Sequence, residues 1–120
     1  MIVLVIVAIL LALAYPSYVQ YVRKANRGDA QQLLMNWAVN QEIWRSNNTE
    51  YADTDDIPAP TNDKFAFTIA NVGATTYTLQ AEALGDQAKD RAKSGDYCGK
   101  SGSLITLNQN GVKEPAGCWE

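Results

Sequence analysis

Residues 1–16 read MIVLVIVAILLALAYP. From Met1 to Tyr15 there is no charge, no strongly polar side chain, no Gly and no Pro, and Pro16 closes the run. Such a segment has to be kept from water, either by a bilayer or by copies of itself. Fifteen helical residues reach roughly 22 Å, short of the ~30 Å of a hydrocarbon core. A cleaved signal peptide would carry a basic region first and small residues at the cut. Here no Lys or Arg precedes the run, and Tyr-Pro-Ser-Tyr ends it. The first cations, Arg23, Lys24 and Arg27, follow it, a pattern that by itself marks that end as cytoplasmic. A short segment ahead of Met1 would account for both features, and we expect one.

Outward from this stem the chain turns polar. Its 120 residues suit one domain plus an appendage, with about 100 residues left to build a modest core. The net charge of −3 argues against a general nucleic-acid coat, which relies on clustered Lys and Arg. With no His, the commonest metal ligand and general acid/base is missing. Cys98 and Cys118 form an even pair in a chain with an export-type N-terminus, which points to one disulfide and an oxidising compartment. Free or metal-binding thiols are the alternative, although zinc would need two more ligands. Closing that loop should contribute about 3 kcal/mol.

The pattern predicts one long helix from Met1 to about Arg45, flawed at Pro16, where a bend or local melting over Ala12–Pro16 is expected. Past the proline, Ala30, Leu33, Leu34, Trp37, Gln41 and Trp44 recur at helical steps, an apolar stripe interrupted by Gln41. Gly28 is a weak point within it. Residues 46–49 end the helix, and 50–64 read as an irregular acidic loop. Strands follow at Phe65–Ile69, Thr76–Ala83 and Ser103–Leu107. A short fourth strand begins at Val112, after the Asn110-Gly111 turn. Gly85–Tyr97 reads as a polar loop. The fold class is α+β, a long helix packed on a small antiparallel sheet. We divide it into a stem, residues 1–22, and a head, residues 23–120.

MIVLVIVAILLALAYPSYVQYVRKANRGDAQ, residues 1–31, resembles the N-terminal helix of type IV pilins, most closely over Ala14–Ala25. YTLQAEAL (77–84) and YCGKSGSLITLNQNGVKEPAGCW (97–119) resemble the PilE-like branch, with its Cys-Gly, Leu-Asn, Gly and Cys-Trp pattern. The resemblance covers nearly the whole chain. It implies a pilin fold and a subunit that enters the inner membrane, is cut by a prepilin peptidase, and is assembled by the pilus machinery into a helical homopolymer with other pilins. It also implies that the family's N-methylated Phe and assembly acid lie before Met1. Our reading is a structural subunit of an extracellular type IV pilus. A minor pilin near the tip that binds DNA for uptake is the alternative. A type II secretion pseudopilin comes third, without positive support.

Ile2, Val3, Leu4, Val5, Ile6, Val7, Ile9, Leu10, Leu11 and Leu13 are the expected membrane-embedded and filament-core side chains. Each is worth roughly 1.5–3 kcal/mol when buried. Arg23, Lys24 and Arg27 are candidates for salt bridges to neighbouring subunits, or simply a solvated face. Lys89, Arg91, Lys93 and Lys100 are candidate DNA contacts, diluted by the interleaved Asp86, Asp90 and Asp96. Trp37 and Trp44 are expected in the core, and Tyr15, Tyr18 and Tyr21 in packing among stems. Asp53, Asp55 and Asp56 lack the Gly and bidentate Glu of a calcium loop, so a solvated loop is expected and no metal site. Asn47-Asn48-Thr49 matches the glycosylation triplet, a pattern common by chance. No catalytic constellation is present, and neither an enzyme nor a cofactor is expected.

Overall fold

A computed structural model describes residues 1–119, without the side chain of Pro16. Helix α1 runs Ile2–Arg45, and the molecule is 71 Å long. The local melting expected near Pro16 does not occur in the subunit, because α1 continues through that position. Proline deletes one backbone bond of the ladder. Leu- and Ala-rich turns on one side and the packed half on the other each propagate helix, which outweighs that single loss. The end of α1 lies where the sequence placed it. Ser46 Oγ donates to Ile43 O (2.6 Å) and Asn48 Nδ2 to Trp44 O (2.8 Å), covering two terminal carbonyls.

The sheet has the order β1-β2-β3-β4 and is antiparallel throughout: β1 Phe65–Ala70, β2 Thr78–Ala83, β3 Ile105–Asn108 and β4 Lys113–Glu114. Phe65 pairs with Ala83 and Phe67 with Ala81, while Leu79 faces Leu107 across the other edge of β2. Alternation along the strands therefore sends Phe65, Phe67, Leu79, Ala81, Ile105 and Leu107 to one face, and all are buried. Ala30, Leu34 and Trp37 of α1 close over that face to form the core. Leu33 and Trp44 are only half-buried at its edges. At Gly99 (φ +104°) an added Cβ would lie 3.0 Å from Ala83 N, so only glycine lets this backbone reach β2 and accept the Ala83 N–H at 2.7 Å.

The polar interruption in the helical stripe turns out to be part of the core. Gln41 is fully buried, donating to Ala52 O (2.7 Å) and accepting from Ala52 N (2.8 Å). One side-chain amide thus satisfies both backbone groups of a loop residue that no strand could pair. We predict that Gln41→Leu lowers stability by about 2–4 kcal/mol, by leaving two buried backbone groups unpartnered. Denaturant unfolding of the full chain in mild detergent measures it. A loss below about 0.5 kcal/mol would mean that water reaches Ala52 instead.

Candidate nucleic-acid interface

The segment read from sequence as a polar loop, Gly85–Tyr97, is docked on α1 by side chains. It opens with a single-turn 3₁₀ helix, Gly85–Lys89, and then folds back on itself through an antiparallel bridge between Arg91 and Tyr97. Gln20 Nε2 donates to Asp90 Oδ1 (2.9 Å), Asn26 Nδ2 to Gln87 Oε1 (3.1 Å) and Gln87 Nε2 to the carbonyl of Arg23 (2.8 Å). Arg27 pairs with Asp90 at 3.1 Å, both side chains withdrawn from solvent, and donates to Cys98 Sγ at 2.9 Å. Burial pushes the Asp90 carboxyl above its ordinary value, against the pull of the Arg27 charge and the Gln20 hydrogen bond.

Cys98 and Cys118 are joined in the expected disulfide, with Cα atoms 5.7 Å apart, both fully buried. Gln31 donates to the carbonyl of Cys118, so the C-terminal turn also rests on α1.

These contacts change how the cationic residues read. Arg23 and Arg27, candidates for bridges between subunits, are committed within the chain: Arg23 to Asp86 at 3.0 Å and Arg27 to Asp90. The reason is that the loop carrying both acids folds onto the helix face that carries both arginines. Lys24 points outward and makes no ion pair among the described residues.

Two of the three acids expected to dilute the basic patch are also consumed. Asp86 holds Arg23 and Lys89, and Asp90 is buried. The hydrogen bond from Arg23, then that from Lys89, keeps the Asp86 carboxyl below the usual range. Asp96 accepts from Ser94 Oγ at 2.9 Å. Of the four candidate DNA contacts, Lys89 is therefore partly neutralised by Asp86. Arg91, Lys93 and Lys100 are exposed and have no carboxylate partner among the described residues.

Two of the three are gathered by a residue that the sequence does not single out. The Arg91 guanidinium carbon lies 4.1 Å and Lys100 Nζ 4.2 Å from the centroid of the Tyr97 ring, and Arg91 also donates to the Tyr97 hydroxyl. The Arg91 hydrogen bond and charge, then the charge of Lys100, hold that phenol below its usual pKa. The bridges Arg91–Tyr97 and Lys100–Ser103 set this arrangement in the backbone.

The remaining motifs carry no site. Asp53 Oδ1 accepts from the amides of Asp55 and Asp56, a local turn, and no metal-ligand cluster occurs among the described residues. The stem side chains Ile2–Leu13 are exposed along one bare helix, long and apolar enough to cross a membrane.

The family model of the type IV minor pilin ComP, the DNA uptake sequence receptor, matches residues 16–101. The chain belongs to this family. A type IV pilin from Shewanella oneidensis has the same fold, with a TM-score of 0.62 at 25% identity over 82% of this chain and 98% of its own. PilV, a non-core minor pilin of Neisseria meningitidis, superposes with a TM-score of 0.62 over 82% of this chain and 90% of its own. At 18% identity that likeness concerns the fold alone. No curated protein matches the chain. The chain is thus a type IV pilin, and its fold and family are those of structural subunits rather than enzymes.

In this pilin the Arg27–Asp90 pair joins helix to head. We predict that Asp90→Asn costs about 3–5 kcal/mol by leaving a buried guanidinium unpaired. Arg27→Met combined with Asp90→Leu should cost less than the sum of the two single changes. Urea unfolding of the four chains in detergent measures the coupling, and strict additivity would show that the pair is not a unit.

Proposed function

We propose that this pilin is a filament subunit whose head receives DNA, with Arg91, Lys93 and Lys100 meeting backbone phosphates. The observation that carries the reading is the Arg91–Tyr97–Lys100 cluster, three side chains held together where Asp90 is buried against Arg27 and Asp86 is paired, with Asp96 the one exposed acid beside them. It lies wholly inside the stretch matched by the family of the DNA uptake sequence receptor. Cations fixed in position lose less freedom on meeting a phosphate than cations on free stems do. With the chain negative overall, attraction to DNA is local to this face. Before assembly the stem holds the subunit in the inner membrane. In the filament the same exposed Val, Ile and Leu side chains pack against other pilins.

Two outcomes are expected. Binding of a short duplex to the full chain, followed by anisotropy across a salt series, should weaken steeply with salt. Arg91→Gln with Lys100→Gln should flatten the logarithmic slope by about 2, roughly one unit for each phosphate that is no longer neutralised. Tyr97→Leu should weaken binding while leaving the slope nearly intact, since it loosens the cations without removing charge. An unaltered affinity in both variants would rule out this face.

Assembly is tested separately. Ile6→Asp should abolish surface filaments while the disulfide-bonded subunit still accumulates, because a carboxylate among packed apolar stems costs several kcal/mol. Wild-type numbers of filaments in that variant, counted by electron microscopy, would remove the stem from the polymer core.

A further inference from the structure

Arg23 is the first charged side chain after the apolar run, and α1 carries none from Ile2 to Val22. At ~1.5 Å per residue, about twenty such residues are enough to reach across the ~30 Å hydrocarbon core of a bilayer. Tyr15, Tyr18 and Tyr21, all exposed, occupy the last two turns of that stretch. Aromatic rings of this kind settle at the headgroup level. With the stem in a membrane, residues 23–27 therefore stand at the phosphates of one leaflet.

At that level the head opens a cavity of about 220 Å³, lined by Gln20, Lys24, Arg27, Arg91, Lys93 and Gly117. Asp90 balances Arg27 from within the fold. Lys24, Arg91 and Lys93 are not balanced in this way, and no carboxylate lines the cavity among the described residues. Side chains on a helix lean toward its N-terminus, so Lys24 reaches down the stem, toward the membrane.

We propose that this cavity seats the phosphate of a phospholipid headgroup, docking the head against the bilayer while the stem is inserted. The proposal rests on the reading that the stem lies in a membrane before assembly. A lipid phosphate fits better than a nucleic-acid phosphate because the cavity is built on the helix at the membrane level. Tyr97 and Lys100 lie outside its lining. The lipid would hold the head at one height and angle until other pilins replace the bilayer around the stem.

The test uses the full chain in nanodiscs of phosphatidylcholine containing phosphatidylglycerol, with the lipids that stay bound counted by native mass spectrometry. Lys24 and Lys93 are exposed, so Lys24→Gln and Lys93→Gln should leave the fold intact, which circular dichroism checks. The wild type should retain phosphatidylglycerol. Affinity for it should fall about fivefold per cation removed, and Lys24→Arg should retain it. Equal retention by the wild type and the double variant, both inserted, would overturn the proposal. Loss of duplex binding in Lys24→Gln, a residue outside the proposed DNA contacts, with phosphatidylglycerol retained, would assign the cavity to nucleic acid and overturn it as well. A chain that stays out of the bilayer would instead overturn the membrane reading itself, and the lipid seat with it.

Discussion

Arg27 of the helix and Asp90 of the loop meet at 3.1 Å where neither can reach water, directly against the Cys98 sulfur. Everything at the neck of the molecule follows from that contact. A buried pair gains little net stability over apolar packing, because desolvation offsets most of the attraction. Its effect is on arrangement, since any other docking of the 85–97 segment would strand a charge in the interior. With Asp90 placed, Gln20 and Gln87 find their partners and Asp86 comes within reach of Arg23. The disulfide then closes over the same spot, tying the C-terminal turn to a segment already registered against the helix.

Burying Asp90 also alters the surface. The chain is acidic overall, and a count of charges along residues 86–100 gives nearly equal numbers of acids and bases. Folding separates them. Asp90 goes inward and Asp86 turns to Arg23 and Lys89, while Asp96 stays exposed beside Ser94. Arg91, Lys93 and Lys100 then outnumber the one free acid, and Tyr97 holds two of them in fixed positions. Local potential governs the approach of a polyanion far more than net charge does.

Much of the fold was legible because its signals are local. The helix from Met1 to about Arg45, the Phe65 strand and the alternating Tyr77–Ala83 face were each readable from a single periodicity, and the structure has them within a few residues. The disulfide was readable from cysteine parity in an exported chain. What escaped is non-local. Nothing around Asp90 distinguishes a buried acid from a solvated one, because its partner lies far away on the helix. Gln41 offered the clearest missed hint, a lone amide inside an apolar stripe, which is where a buried backbone needs a donor and an acceptor together. At Pro16 the local signal overstated the melting. A local breaker signal was real, but the helix on either side was strong enough to continue through it.

One helix therefore carries three patterns in turn: the exposed apolar stem along Ile2–Leu13, the polar neck around Arg23–Arg27, and the core-facing stripe from Ala30 to Gln41. The sequence changes from one to the next within one or two turns at each boundary. The neck is where the demands collide, because a guanidinium needed near the surface must be placed beside a fully apolar stem. Arg27 resolves this by turning inward to Asp90, while Lys24, three residues earlier on the same flank of the helix, stays in solvent. Two cations so close in sequence thus have opposite fates at the neck: Arg27 is locked into the head by Asp90, and Lys24 is left in solvent because no acid of the 85–97 segment comes within reach of it.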